Sequence, residues 1–150
     1  MAALARGWHC TGIDIINRGY PGHFVEAALP LSDSHLLSYA PSLIIASPPC
    51  EEFARHHLPW LNGPTPSTAL LRWAIALADR LPVPVLIECS LFAHRHIAAT
   101  AITGSYALWG NVPALLPSVP RRKARLSGTN PAARAMIEPI LADWIIEVHT

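Results

Sequence analysis

The chain has 150 residues, of which 51% are hydrophobic and only 14% charged, with a formal net charge of +1. That length fits one domain spanning 1–150, and the apolar content excludes intrinsic disorder. The near-neutral balance gives no bulk support for a polyanionic partner, and an odd set of three cysteines without framework spacing argues for a reducing, cytoplasmic setting rather than a disulfide-stapled secreted domain.

The first residues, Met1-Ala-Ala-Leu-Ala-Arg6, lack the apolar core of a leader. No apolar run reaches the roughly 18 residues a membrane span needs, so no membrane partner is expected. The stretch His9 to Asp14 reads as a short strand ending on an acid, and Ile15 to Gly22 as a loop broken by glycine and proline. Phe24 to Leu29 reads as another short strand, Asp33 to Tyr39 as a short helix and Leu43 to Ala46 as a buried strand.

That last strand runs into Ser47-Pro48-Pro49-Cys50. Prolines lack the amide hydrogen of a sheet ladder, so the strand must stop and Cys50 sits just beyond its carboxyl end. In open α/β sheets ligands bind at that edge, and a thiol presented there is a candidate nucleophile. Glu51 to Pro66 reads as irregular. Ser67 or Thr68 caps a helix whose apolar positions Leu70, Leu71, Trp73, Ala74, Leu77, Ala78 and Leu81 follow helical spacing.

The next run, Val83 to Ile87, ends on Glu88, so strand, crossover helix and strand form a βαβ unit whose two strands are parallel. A thiol and a carboxyl group then reach the same edge of one sheet. Phe92 to Ile102 reads as a second helix and Ser105 to Trp109 as a strand closed by Gly110. A proline-rich connection carries the basic cluster Arg121, Arg122, Lys123 and Arg125, and an apolar helix from about Pro131 to Val148 follows, interrupted at Pro139.

Pro49-Cys50 with Phe53 three residues on resembles the Pro-Cys motif of DNA cytosine-5 methyltransferases, and Ile87-Glu88-Cys89 resembles their Glu-Asn-Val motif at the fitting distance. Thr11-Gly-Ile-Asp14 is similar to the strand whose acid holds the cofactor ribose, Ala93-His-Arg95 to the Gln-x-Arg motif, and Ala135 to Ile145 to the last family motif. The resemblance covers most of the chain in order. It implies a Rossmann-like S-adenosylmethionine-dependent methyltransferase fold, α/β with a mostly parallel sheet. The strand and glycine-rich turn that open these proteins have no counterpart, so either the natural start lies upstream of Met1 or the expected fold is N-terminally shortened, and no stretch is long enough for a target-recognition domain.

The chemistry implied by the resemblance needs both side chains. Carbon 5 of cytosine is too electron-poor to accept a methyl group directly, so a thiolate, Cys50, adds to carbon 6 while Glu88 protonates ring nitrogen 3. The base must first leave the duplex stack. By the same resemblance Arg95 positions the flipped nucleotide, and Asp14, Ile15 and Pro49 contact S-adenosylmethionine. DNA is the expected partner, met by Arg55 with His56 and His57 beside the cysteine loop and by Arg121, Arg122, Lys123 and Arg125.

Some residues depart from the family. Glu51 and Glu52 follow Cys50, where added carboxylates raise a thiol's pKa and repel phosphates, and Cys89 replaces asparagine. No metal is expected: adjacent His56 and His57 do not easily face one ion, and no Cys-x-x-Cys or His-x-x-x-His spacing occurs. Two other readings stay open. One is a non-catalytic relative that binds DNA or a protein partner, including a second copy of the chain as a homo-oligomer. The other is an enzyme acting on a free pyrimidine nucleotide through the same thiol and acid.

Overall fold

The computed structural model describes residues 2–15, 23–26, 31–57, 64–119 and 139–147. In chain order they form α1 (Ala2–Ala5), β1 (Thr11–Asp14), β2 (His23–Glu26), α2 (Asp33–Leu37), β3 (Ile44–Ala46), α3 (Glu51–His56), α4 (Ala69–Arg80) and β4 (Val85–Ser90). A 3-10 turn at Leu91–Arg95, β5 (Ala101–Thr103), β6 (Tyr106–Gly110) and α5 (Pro139–Glu147) complete them.

β1 and β2 pair in parallel as a two-stranded sheet, and the remaining strands form a four-stranded sheet ordered β3-β4-β6-β5. β3 lies parallel to β4, as the crossover through α4 requires, with Ala46 opposite Ile87. β6 runs antiparallel to both β4 and β5. The class is therefore α/β, but the larger sheet is mixed rather than mostly parallel. Gly104, at φ 56°, turns β5 directly into β6, and so short a connection permits only an antiparallel pair.

β4 is the centre of the molecule. Val85, Ile87 and Cys89 join Leu71, Ala74 and Leu77 of α4, Trp109 of β6 and Phe53 of α3 in one cluster. Leu86 packs with Leu108, Val119 and the α5 residues Leu141 and Ile145 in a second cluster. Helices thus cover both faces, which is why the run Val85-Leu86-Ile87 shows no polar alternation. α4 occupies the span its apolar spacing predicts, and Ser67 supports its start by accepting a hydrogen bond from the Ala69 amide at 3.3 Å.

Three expectations need correction or fall away. Glu51–His56 is helical rather than irregular: Phe53, only 2% exposed, anchors it in the core, and Arg55 pairs with Glu51 one turn back at 3.2 Å. Leu91–Arg95 is a single 3-10 turn, not the start of a helix to Ile102. The His94 ring nitrogen Nδ1 takes the Ala99 amide at 2.9 Å and turns the chain back, after which Ala101–Thr103, with its β-branched Ile102 and Thr103, pairs with β6. The expected interruption at Pro139 falls at the edge of the described residues, since 131–138 lie outside them.

β3, expected as a buried strand, is instead a half-exposed edge strand. Among the described residues it bonds only to β4, and its Ile45 is 44% exposed. No helix among the described residues is long and apolar enough to cross a membrane.

At the opposite edge Thr103 ties the chain after β6 to the sheet. Its buried hydroxyl donates to the Pro117 carbonyl at 2.6 Å and accepts from the Val119 amide at 3.3 Å. Thr103→Val keeps the shape but strands both backbone groups, and we expect a loss of about 1–3 kcal/mol. Urea unfolding with a lowered midpoint and an unchanged slope is the expected result.

Candidate active site

Proline supplies the geometry of the site. Pro48 and Pro49 end β3, and Cys50 occupies the N-cap position of α3 with backbone angles of φ −107° and ψ −7°. Its side chain makes no capping hydrogen bond. One strand over, Glu88 follows Ile87, the partner of Ala46, so Ser47 flanks the carboxyl group at the strand end. The chain therefore brings Ser47, Cys50 and Glu88 to the carboxyl edge of two adjacent parallel strands.

Glu88 is 9% exposed, and burial pushes its pKa up to about 7, opposed by a hydrogen bond with Ser47. A carboxyl group half protonated near neutrality suits proton donation. The Cys50 thiol is raised above its ordinary range, first by burial, then by the Glu88 charge, and further by Glu51, while a backbone hydrogen bond acts in the opposite sense. The two groups are thus coupled: protonating Glu88 removes one of the charges that oppose a Cys50 thiolate. Glu51 acts as its position in the sequence suggests.

Cys89 is of another kind. It is 1% exposed, its sulfur lies 4.0 Å from the Pro48 carbonyl oxygen, and burial lifts its pKa to about 12. That is an inert thiol filling space beneath the Cys50 loop.

Pro49 lies in the wall of a cavity of about 110 Å³ that is also lined by Pro48, Phe53, Leu70 and Leu71. Glu52 and Ser67 form its polar side, where the Glu52 carboxylate accepts the Ser67 amide at 3.3 Å. The cavity is small, with more apolar than polar lining, and the Pro48 and Pro49 rings form part of its wall.

Arg95 closes the 3-10 turn after β4. Its Nη1 donates to His57 Nδ1 at 3.2 Å, and its guanidinium carbon sits 5.8 Å from the centre of the Phe92 ring. Asp14 and Ile15 stand at the carboxyl end of β1, in the two-stranded sheet, with Ile15 66% exposed. Ile13 of the same strand packs against the main core cluster. Arg55 is exposed on α3 and paired with Glu51. Arg121, Arg122, Lys123 and Arg125 lie outside the described residues.

Two contributors escaped sequence reading. Ser47 was detectable in principle, because parallel register at the end of β3 puts it beside Glu88. His96 was not, because treating 92–102 as one helix sends its ring elsewhere, whereas the 3-10 turn places it against His56 and His57 at 5.6 and 5.4 Å. No group of three ligand side chains suited to a metal occurs among the described residues. Comparison with protein-family models, curated proteins and solved structures finds no match to the chain.

Proposed function

We propose that the protein is a DNA cytosine-5 methyltransferase of Rossmann-like form. The observation that carries this reading is the meeting of Cys50 with a buried, half-protonated Glu88 at the carboxyl edge of β3 and β4. A thiol alone would be unremarkable; a thiol paired with a carboxyl group able to donate a proton at neutral pH is the pair that addition to a cytosine ring requires.

In this mechanism Cys50 first gives its proton to solvent, and the thiolate sulfur then forms a bond to carbon 6 of an extruded cytosine. The ring's electrons shift through carbon 5 and carbon 4 to nitrogen 3, which takes the proton held by Glu88. Carbon 5 becomes an enamine carbon, nucleophilic enough to accept a methyl group. Ser47 holds the Glu88 carboxyl in place, and a Glu88 that has kept its proton until addition spares the thiolate a like charge.

S-adenosylmethionine, when bound, supplies the methyl group. The cavity of about 110 Å³ lined by Pro48, Pro49, Phe53, Leu70 and Leu71 is the proposed place for its adenine ring, and Asp14 at the end of β1 is the acid assigned to its ribose. DNA is the proposed partner, with Arg55 and Arg95 as its contacts among the described residues.

Covalent trapping tests the reading. DNA carrying 5-fluorocytosine is expected to form a stable adduct with the protein in the presence of S-adenosylmethionine, because fluorine at carbon 5 blocks the elimination that releases the enzyme. Cys50→Ser, which replaces a thiolate with a far weaker nucleophile, is expected to form none. Failure of the unaltered protein to form the adduct sinks the assignment.

A further inference from the structure

His57 caps the carboxyl end of α3, and its ring meets Arg95 across the gap to the 3-10 turn. Arginine has donors only, so His57 Nδ1 must accept and a neutral ring must carry its proton on Nε2. The same His57 ring stacks on Phe92 at 5.4 Å and 24°, and Phe92 also lies beneath the guanidinium. Two independent contacts therefore hold Arg95 in one place, both of them through a single aromatic pair.

The cluster behind His57 is built for a neutral ring. His56 and His96 stand 5.2 and 5.4 Å from it, and His56 Nδ1, His57 Nε2 and His96 Nε2 are buried without a hydrogen-bond partner among the described residues. The charged and titratable groups of the flanking elements are engaged elsewhere. Glu51 pairs with Arg55, Glu52 accepts the Ser67 amide, and His94 accepts the Ala99 amide. Burial, then the Arg95 charge, then His56 and His96, hold the His57 pKa below the ordinary imidazole range.

We propose that His57 is a positioning residue for Arg95, aiming its guanidinium at a phosphate of the nucleotide whose base lies against Cys50 and Glu88. The proposal rests on the reading of Cys50 and Glu88 given above. Cys50 and His57 bracket α3, so about 10 Å of helix rise separates their backbones. Acid breaks the arrangement: a protonated His57 offers Arg95 a donor and a positive charge in place of an acceptor, and releases it.

The test measures binding of a fluorescent single-stranded, cytosine-containing oligodeoxynucleotide from about pH 5 to 8, alongside NMR of the Arg95 Nε–H signal. The unaltered protein is expected to bind about tenfold more weakly at the acid end. His57→Asn, whose side-chain oxygen preserves an acceptor near the Nδ1 position without titrating, should bind within about threefold of the unaltered protein at neutral pH and show a flat profile. His57→Leu and Arg95→Gln should be weak throughout. Deoxycytidine monophosphate should compete better than inorganic phosphate; equal competition marks an adventitious anion only and overturns the assignment.

Affinity that rises in acid overturns it too, because His57 would then touch the phosphate itself. So does an Asn variant as weak as the Leu variant. If no form binds the oligonucleotide, the functional reading falls, and the NMR signal decides the positioning role alone. That signal should be sharp near neutrality, lost in acid, and kept in acid by His57→Asn; an acid-insensitive signal in the unaltered protein refutes it.

Discussion

Glu88→Gln is expected to slow formation of the Cys50 adduct by about 10²–10⁴-fold, the range associated with losing a positioned general acid. The amide keeps the shape and can still accept from Ser47, but it has no proton to give to ring nitrogen 3. The pH profile separates this from a packing defect. In the unaltered protein the adduct rate should fall above about pH 7, as Glu88 loses its proton. The Gln variant should lose that falling limb and keep only the rise that follows Cys50 ionisation.

The same substitution is expected to stabilise the fold in alkali. Glu88 has an ordinary pKa of 4.5 and holds its proton up to about 7 when folded, so the folded state binds more protons than the unfolded chain between those values. Stability therefore falls as pH rises across that window and stays low above it. A shift of this size corresponds to roughly 3 kcal/mol. Glu88→Gln should accordingly unfold at higher urea than the unaltered protein at pH 8, with the advantage fading toward about pH 4.5. A variant less stable at both ends would mean that the carboxyl group is not strained by burial.

Gly110→Ala carries the second large effect. Gly110 closes β6 at φ 80°, a region that strains any side chain, and an added methyl group would run into the Val85 carbonyl oxygen and lie 2.8 Å from Ile87 Cδ1. Relief by movement is blocked on both sides. Asn111 clamps Val85 through its amide at 2.8 Å and its side-chain oxygen at 2.9 Å, and Ala78 of α4 stands 3.2 Å from the methyl position. We expect a loss of roughly 3–5 kcal/mol, seen as a large drop in the unfolding midpoint. Since Val85 begins the strand that carries Glu88, the adduct rate should fall with it.

Local pattern made much of this legible. The helix at Ala69–Arg80 and the strands at Ile44–Ala46 and Val85–Ser90 follow from apolar spacing and from the prolines that end β3, and they suffice to bring Cys50 and Glu88 to one edge. The direction of β6 was not legible, because its apolar content reads the same either way and only the Gly104 turn decides it. Nor was the short helix after Cys50. Its polar, histidine-rich surface hides a single anchor, Phe53, whose value depends on a core assembled from distant residues. The histidine cluster escaped notice for a related reason, since it forms between two elements that sequence reasoning either missed or misassigned.

The sheet holds Glu88 and the lead-in to Cys50 with unequal firmness. Glu88 rides on β4, laced on both sides by β3 and β6, whereas Cys50 hangs from a three-residue strand bonded along one side only among the described residues. Amide hydrogens of β3 should therefore exchange with solvent far sooner than those of β4, through openings that leave the rest of the sheet intact. β4 is then the fixed part of the sheet and β3 the part that opens first, with Cys50 held on its far side by α3, which Phe53 anchors in the core.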